Sequence, residues 1–184
     1  MGKMILILGG ARSGKSTFAE KLAAEIGDAS VLYVATAEAK DDEMRDRIIK
    51  HQSERPSTWD TLELPTDVGN GIKKVWDGQS AILIDCFTLL VSNILLENSS
   101  DADVSIAANY VQEKVLNELE TLLESVKDLK TTTIMVSNEV GLGLVPPYEL
   151  GRVYRDVLGR ANQYLANNVD EVLFMVAGLP MRVK

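Results

Sequence analysis

Short runs of unbroken apolar residues alternate along this chain with longer stretches in which apolar positions recur every three or four residues. Met4–Leu8, Val31–Ala35 and Ala81–Ile84 are of the first kind, and Thr132–Val136, rich in β-branched residues, and Glu171–Val176 join them as strand candidates. Such runs predict strands buried on both faces, and Thr61–Leu64 is a weaker candidate for an edge strand. Ser16–Ile26, Asp41–Glu54, Val104–Val126 and Leu150–Ala166 are of the second kind. The first of these stops at Gly27. The second opens with acids that suit a helix N-terminus and ends near Pro56. In the third, Val111, Val115, Leu119, Leu122, Leu123 and Val126 keep helical spacing. Alternating strands and helices predict an α/β protein with a mostly parallel sheet and helices on both faces. No linker or repeat divides residues 1–184, so one domain is expected.

Composition narrows the partners. The 184 residues carry a formal net charge of -8. An acidic surface repels nucleic-acid backbones, so DNA and RNA are not expected partners. No apolar run approaches the roughly 18 residues of a membrane helix, and the N-terminal run is too short for a signal sequence. The single cysteine, Cys86, admits no intrachain disulfide and sits in an apolar run, where a structural thiol is the ordinary reading. A cytoplasmic location without membrane insertion is the expectation.

Chemistry enters directly after the first strand. Gly9-Gly10-Ala11-Arg12-Ser13-Gly14-Lys15-Ser16 fits the phosphate-binding pattern G-x-x-x-x-G-K-[ST] between a strand and a helix. Glycines let successive backbone N–H groups converge on phosphate oxygens. The helix beginning near Ser16 turns its positive end to the same point. Lys15 is expected to reach the terminal phosphates and the Ser16 hydroxyl to hold Mg²⁺. A second carboxylate for the metal is expected at the end of a neighbouring strand. Asp85 stands there, and Glu139 after the next strand is its rival; a strand-end Asp capping a turn is the plain alternative.

His51, the only histidine, shares a helical stripe with Arg47 and Arg55 at spacings of four. Positive neighbours favour a neutral ring and an approaching phosphate. A neutral imidazole can attack an α-phosphorus and form a covalent intermediate. The plain alternative is a solvated basic helix face.

Taken together, these segments resemble the bifunctional adenosylcobinamide kinase/adenosylcobinamide-phosphate guanylyltransferases of cobalamin biosynthesis. The resemblance runs through the phosphate loop, Tyr33-Val34-Ala35-Thr36-Ala37, Asp41-Asp42-Glu43-Met44, Arg47-Ile48 with His51 and Arg55-Pro56, then Trp59 and Glu63. It continues through Ser137-Asn138-Glu139-Val140-Gly141-Leu142-Gly143-Leu144-Val145-Pro146 and Arg155-Asp156 with Gly159, Asn162 and Gln163. It implies a P-loop NTPase sheet like that of the RecA group and members that can be trimers. It implies phosphorylation of adenosylcobinamide from ATP or GTP, then transfer of GMP from GTP through a histidine to give adenosylcobinamide-GDP. By position, His51 would carry GMP. Ala35, Thr36, Ala37, Gln52, Ser53, Glu54, Arg55, Glu63 and Asp85 would join the phosphate loop in binding nucleotide. Many relatives have Glu where this chain has Asp85, a side chain shorter by one methylene. Neither the preferred phosphoryl donor nor a general base for the kinase step is legible in the residues.

Overall fold

The computed structural model describes residues 2–28, 30–38, 42, 45–46, 49, 52, 55–98 and 104–184, with 104–107 as backbone. Its strands are β1 (Met4–Gly9), β2 (Val31–Ala35), β3 (Asp60–Glu63), β4 (Ala81–Asp85), β5 (Thr132–Asn138), β6 (Glu171–Val176) and β7 (Leu179–Arg182). Its helices are α1 (Lys15–Gly27), α2 (Val68–Val75), α3 (Phe87–Asn98), α4 (Val104–Lys127) and α5 (Glu149–Asn168). The strands form one sheet in the order β3-β2-β4-β5-β1-β6-β7. All pairings are parallel except β6 with β7. The expected P-loop α/β class holds. One strand, β5, lies between β1, which leads into the phosphate loop, and β4, which ends in Asp85. That is the RecA-type arrangement.

Strand side chains alternate between two cores, as the two-residue period requires. Leu6, Leu32, Val34, Ile82, Ile84, Met135 and Val172 join one core, with α2, α3, α4 and α5. Ile5, Ile7, Val31, Tyr33, Ala81, Leu83, Ile134, Val136 and Met175 join the other, where Ala19 and Ala23 of α1 pack. Helices therefore lie on both faces, though unevenly.

The predicted strands and the helices of the phosphate loop and C-terminal half appear within a residue or two of their expected ends. The weak candidate Thr61–Leu64 is the edge strand β3, paired with β2. Asp42, Arg45, Asp46, Ile49 and Gln52 have helical backbone, which is as far as the described residues reach into the expected helix Asp41–Glu54. Arg55 sits in a bend, so the supposed stripe ends before it. Arg47 and His51 lie outside the described residues.

Three elements lie beyond the sequence expectations. Helix α3 follows β4 after a single residue and is apolar almost all round, with Phe87, Leu90, Val91, Ile94 and Leu95 all buried. An all-round apolar helix shows no amphipathic stripe. Helix α2 holds two glycines in eight residues, which weakens any helical signal. A Cβ on Gly69 would come within 2.8 Å of the Leu122 Cα, so close packing on α4 explains that glycine. Glu118 of α4 accepts hydrogen bonds from the Asp67 and Val68 amides at 3.1 and 2.8 Å and caps α2 from another element. The third is β7, whose four residues are all exposed.

Candidate nucleotide site

The phosphate loop joins β1 to α1 and turns on Gly14, which holds φ 90°. A Cβ there would meet the Gly178 Cα at 3.2 Å, so both backbone conformation and space require glycine. Gly178, at the β6–β7 turn with φ 83°, donates its amide to the Ser13 carbonyl at 2.9 Å. The β6–β7 hairpin thus braces the loop, a support that no sequence motif announced. Helix α1 has no side-chain cap and no acid in its first turn. Its first N–H groups and its dipole are left to an anion.

Lys15 is buried, and its ammonium donates to the Gly10 carbonyl at 2.6 Å. Desolvation lowers its pKa from the ordinary lysine value, against the opposing pull of Cys86 and Asp85. Lys15 faces a cavity of about 570 Å³ that also receives Ala11, Arg12 and Ser16 from the loop and Ala35, Ala37 and Asp85 from the ends of β2 and β4. Gln52, Arg55 and Glu63 also line it. Gln52 donates to the Glu63 carboxylate at 2.7 Å. A second cavity, about 700 Å³, shares Gln52, Arg55 and Glu63 with the first and extends past Pro56, Ser57, Trp59 and Thr61. The crevice lies at the carboxyl ends of parallel strands, where open α/β sheets bind ligands.

Not every expected residue faces that space. Gly9, Gly10, Ser13 and Gly14 form the loop backbone without lining the cavity. Thr36 is fully buried. Its hydroxyl donates to the Cys86 carbonyl at 2.7 Å and accepts from the Cys86 amide at 3.0 Å, while Asn93 donates to its carbonyl at 2.9 Å. Thr36 therefore ties the ends of β2 and β4 together. Asp85 reaches the cavity. Its rival Glu139 instead accepts a hydrogen bond from the Gly141 amide and stays with its own turn. His51, Ser53 and Glu54 lie outside the described residues.

Sequence reasoning missed several lining residues: Tyr33, Cys86, Thr88, Leu89, Val136 and Asn138. The Tyr33 ring lies under the Arg55 guanidinium at 3.4 Å, and its hydroxyl donates to Asp85 Oδ2 at 3.3 Å. Burial first, then the Asp85 carboxylate, raises the Tyr33 pKa far above the ordinary tyrosine value, so the phenol stays neutral. Burial likewise pushes the Cys86 thiol up to about 12, with Asp85 adding to the shift. Asn138 is set by a polar relay. Its amide donates to the Thr88 hydroxyl at 2.8 Å, Asn162 donates to its carbonyl at 2.9 Å, and Ser137 donates to Asn162 at 2.7 Å. That relay gives Ser137-Asn138 and the distant Asn162 one structural purpose, locking the end of β5 to α3 and α5.

Among the described residues no group of three or more His, Cys, Asp or Glu side chains gathers to hold a metal, and no helix is long and apolar enough to cross a membrane.

Known proteins resemble this chain in sequence and in fold. The chain is 44% identical to the bifunctional adenosylcobalamin biosynthesis protein CobP of Pseudomonas aeruginosa, over 97% of this chain and 96% of that one. It is 39% identical to the bifunctional adenosylcobalamin biosynthesis protein CobU of Escherichia coli, over 98% and 99% of the two chains. Among solved structures, the flagellar accessory protein FlaH of Methanocaldococcus jannaschii shares the fold, with a TM-score of 0.50 at 15% identity over 100% of this chain and 78% of that one. Residues 5–183 match the family described as cobinamide kinase / cobinamide phosphate guanyltransferase, and with near-full-length relatives at this identity the chain belongs to that enzyme family.

Proposed function

We propose that this protein catalyses two successive reactions at one nucleotide site. It phosphorylates the hydroxyl of adenosylcobinamide with ATP or GTP, then moves GMP from GTP onto that phosphate, releasing pyrophosphate and giving adenosylcobinamide-GDP. The observation that carries this reading is the meeting of Lys15, Ser16, Asp85 and Arg55 on one cavity at the mouth of an uncapped helix. A triphosphate there meets loop amides, an ammonium and a guanidinium, all aimed at negative charge.

Both reactions need the same neutralisation and differ in the phosphorus attacked. Lys15 leaves the Gly10 carbonyl and turns to the phosphate chain when nucleotide enters. Arg55 faces the same chain from the opposite side. In the kinase step the acceptor hydroxyl attacks the γ-phosphorus, loses its proton and displaces the nucleoside diphosphate. In the second step His51 attacks the α-phosphorus, expels pyrophosphate and holds GMP through a phosphorus–nitrogen bond until the cobinamide phosphate takes it. Gln52, beside His51 in sequence, lines the cavity, which supports this role.

Mg²⁺ fits the residues present. Magnesium takes few protein ligands and fills its shell with phosphate oxygens and water, and Ser16 and Asp85 offer one hydroxyl and one carboxylate to the same cavity. Bound there with the nucleotide, it would neutralise phosphate charge. Ser16 would bind it directly, and Asp85 would order its water shell.

We place the reaction in the cytoplasm and the chain in a homo-oligomer, a trimer by family resemblance. The exposed Leu142, Leu144, Val145 and Tyr148, with Leu179 and Met181 of β7, offer apolar surface for assembly. A product assay with adenosylcobinamide, nucleotide and Mg²⁺ tests the activity. The expected result is adenosylcobinamide phosphate first and the GDP-linked product once GTP is present. Phosphorylation without any GDP-linked product would reduce the protein to a single-activity kinase.

A further inference from the structure

Two groups of opposite charge face the nucleotide cavity, and one neutral side chain touches both. Arg55 presents Nε and Nη1 buried and without a hydrogen-bond partner among the described residues. Buried guanidinium donors without partners are costly, so their state needs an explanation. Tyr33 supplies it. Its ring holds the guanidinium face at 3.4 Å, and an aromatic face attracts a cation without using its N–H groups. A carboxylate in the same place would occupy those donors and compete with phosphate for them. The described residues contain no ion pair between Arg55 and Asp85.

The other end of the same side chain acts on Asp85. The Tyr33 hydroxyl donates to Asp85 Oδ2 at 3.3 Å. A neutral donor orients a carboxylate while leaving its charge and its other oxygen available. Tyr33 itself is 2% exposed and anchored in the core shared with α1. It is a fixed platform with two functional ends.

We infer that Tyr33 is a positioning residue for the nucleotide reactions: its ring holds Arg55 ready for phosphate, and its hydroxyl orients Asp85 for the metal. This rests on the reading of the cavity as a Mg²⁺–nucleotide site. It assigns a task to a residue that no phosphate-binding motif contains.

Tyr33→Phe keeps the ring and removes the hydroxyl, whereas Tyr33→Leu removes both. In the kinase reaction, Tyr33→Phe should leave nucleotide KM within about twofold of wild type. It should raise the Mg²⁺ concentration for half-maximal rate, and for half-maximal equilibrium binding of GTP, by about threefold or more. Tyr33→Leu should raise nucleotide KM by about threefold to thirtyfold. In an Arg55→Ala background, the same Leu substitution should add less than about twofold, because nothing remains on the platform. A purely structural tyrosine would not separate the two parameters. An unchanged Mg²⁺ requirement in Tyr33→Phe overturns the inference. So does an undiminished effect of Tyr33→Leu without Arg55. Thermal melting accompanies each variant, and if Tyr33→Leu unfolds, Tyr33→Phe decides alone. Binding of GTP with Mg²⁺ to the wild-type protein is measured first. Failure there overturns the nucleotide reading and this inference with it, whereas normal binding with an indifferent Tyr33→Phe overturns the inference only.

Discussion

The two walls of the nucleotide cavity are built by different means. One wall is the phosphate loop, eight consecutive residues from Gly9 to Ser16, whose chemistry is mainly backbone amides and a helix end. The other wall is assembled from side chains far apart in sequence: Tyr33 from β2, Gln52 and Arg55 from the segment after it, and Glu63 from β3. A backbone cradle recognises phosphate wherever it appears, so the first wall suits both reactions alike. A side-chain wall can favour one phosphorus over another, so the second is where the reactions can be told apart. Substitutions in the first wall should damage both activities together, and substitutions in the second should split them.

The largest effect expected from the first wall is at Lys15. Lys15→Ala should lower both kinase and guanylyltransferase turnover by about a hundredfold to a thousandfold, the usual loss of a preorganised charge donor. Thermal melting should stay close to wild type. Wild-type-like turnover in either reaction would break the idea of one shared cradle. From the second wall, Arg55→Ala should reduce guanylyl transfer by about tenfold to a hundredfold, the weight of charged hydrogen bonds, with a smaller loss in the kinase step. Equal losses in paired steady-state assays would erase the distinction between the walls.

Smaller effects sharpen the floor of the cavity. Asp85→Asn should raise the Mg²⁺ concentration for half-maximal rate by about tenfold. Glu139→Gln should not, because that carboxylate holds the Gly141 amide. A reversed pattern in metal titrations would move the metal role to Glu139. The smallest effect concerns Cys86, whose thiol is pushed up to about 12 by burial and by Asp85. A raised pKa favours the neutral thiol, so alkylation of the native protein by iodoacetamide should be very slow at pH 8. Rapid labelling at pH 8, read by mass spectrometry, would show an accessible thiolate instead.

How much of this was legible in the sequence follows the same division. The phosphate loop was readable because its determinants are contiguous: glycines, a lysine and a helix start in fixed order. The central strands were readable because both their faces are buried, which leaves unbroken apolar runs such as Val31–Ala35. Helix α3 was lost for the same reason, since Phe87–Asn98 is buried nearly all round and carries no stripe. Tyr33 lies within a recognisable motif, but its contacts with Arg55 and Asp85 span 22 and 52 positions, and the one with Asp85 arises only when β2 and β4 pair. The bracing of Ser13 by Gly178 and the capping of α2 by Glu118 are equally non-local. Thr36, Ser137 and Asn162 sit in recognisable segments, yet the structure shows them holding strand ends together.

The proposed single cradle serves two chemistries, the second passing through His51. Its most direct test is to incubate wild-type protein and His51→Asn with α-labelled GTP and Mg²⁺, then follow label on the protein and kinase activity in parallel. Asparagine can hydrogen-bond but cannot form the phosphorus–nitrogen bond. The wild type should hold label that is lost in acid and kept in base. His51→Asn should hold none and should form no GDP-linked product, while still phosphorylating adenosylcobinamide at a measurable rate. Full guanylyl transfer by His51→Asn would contradict the histidine intermediate and require direct transfer between bound substrates.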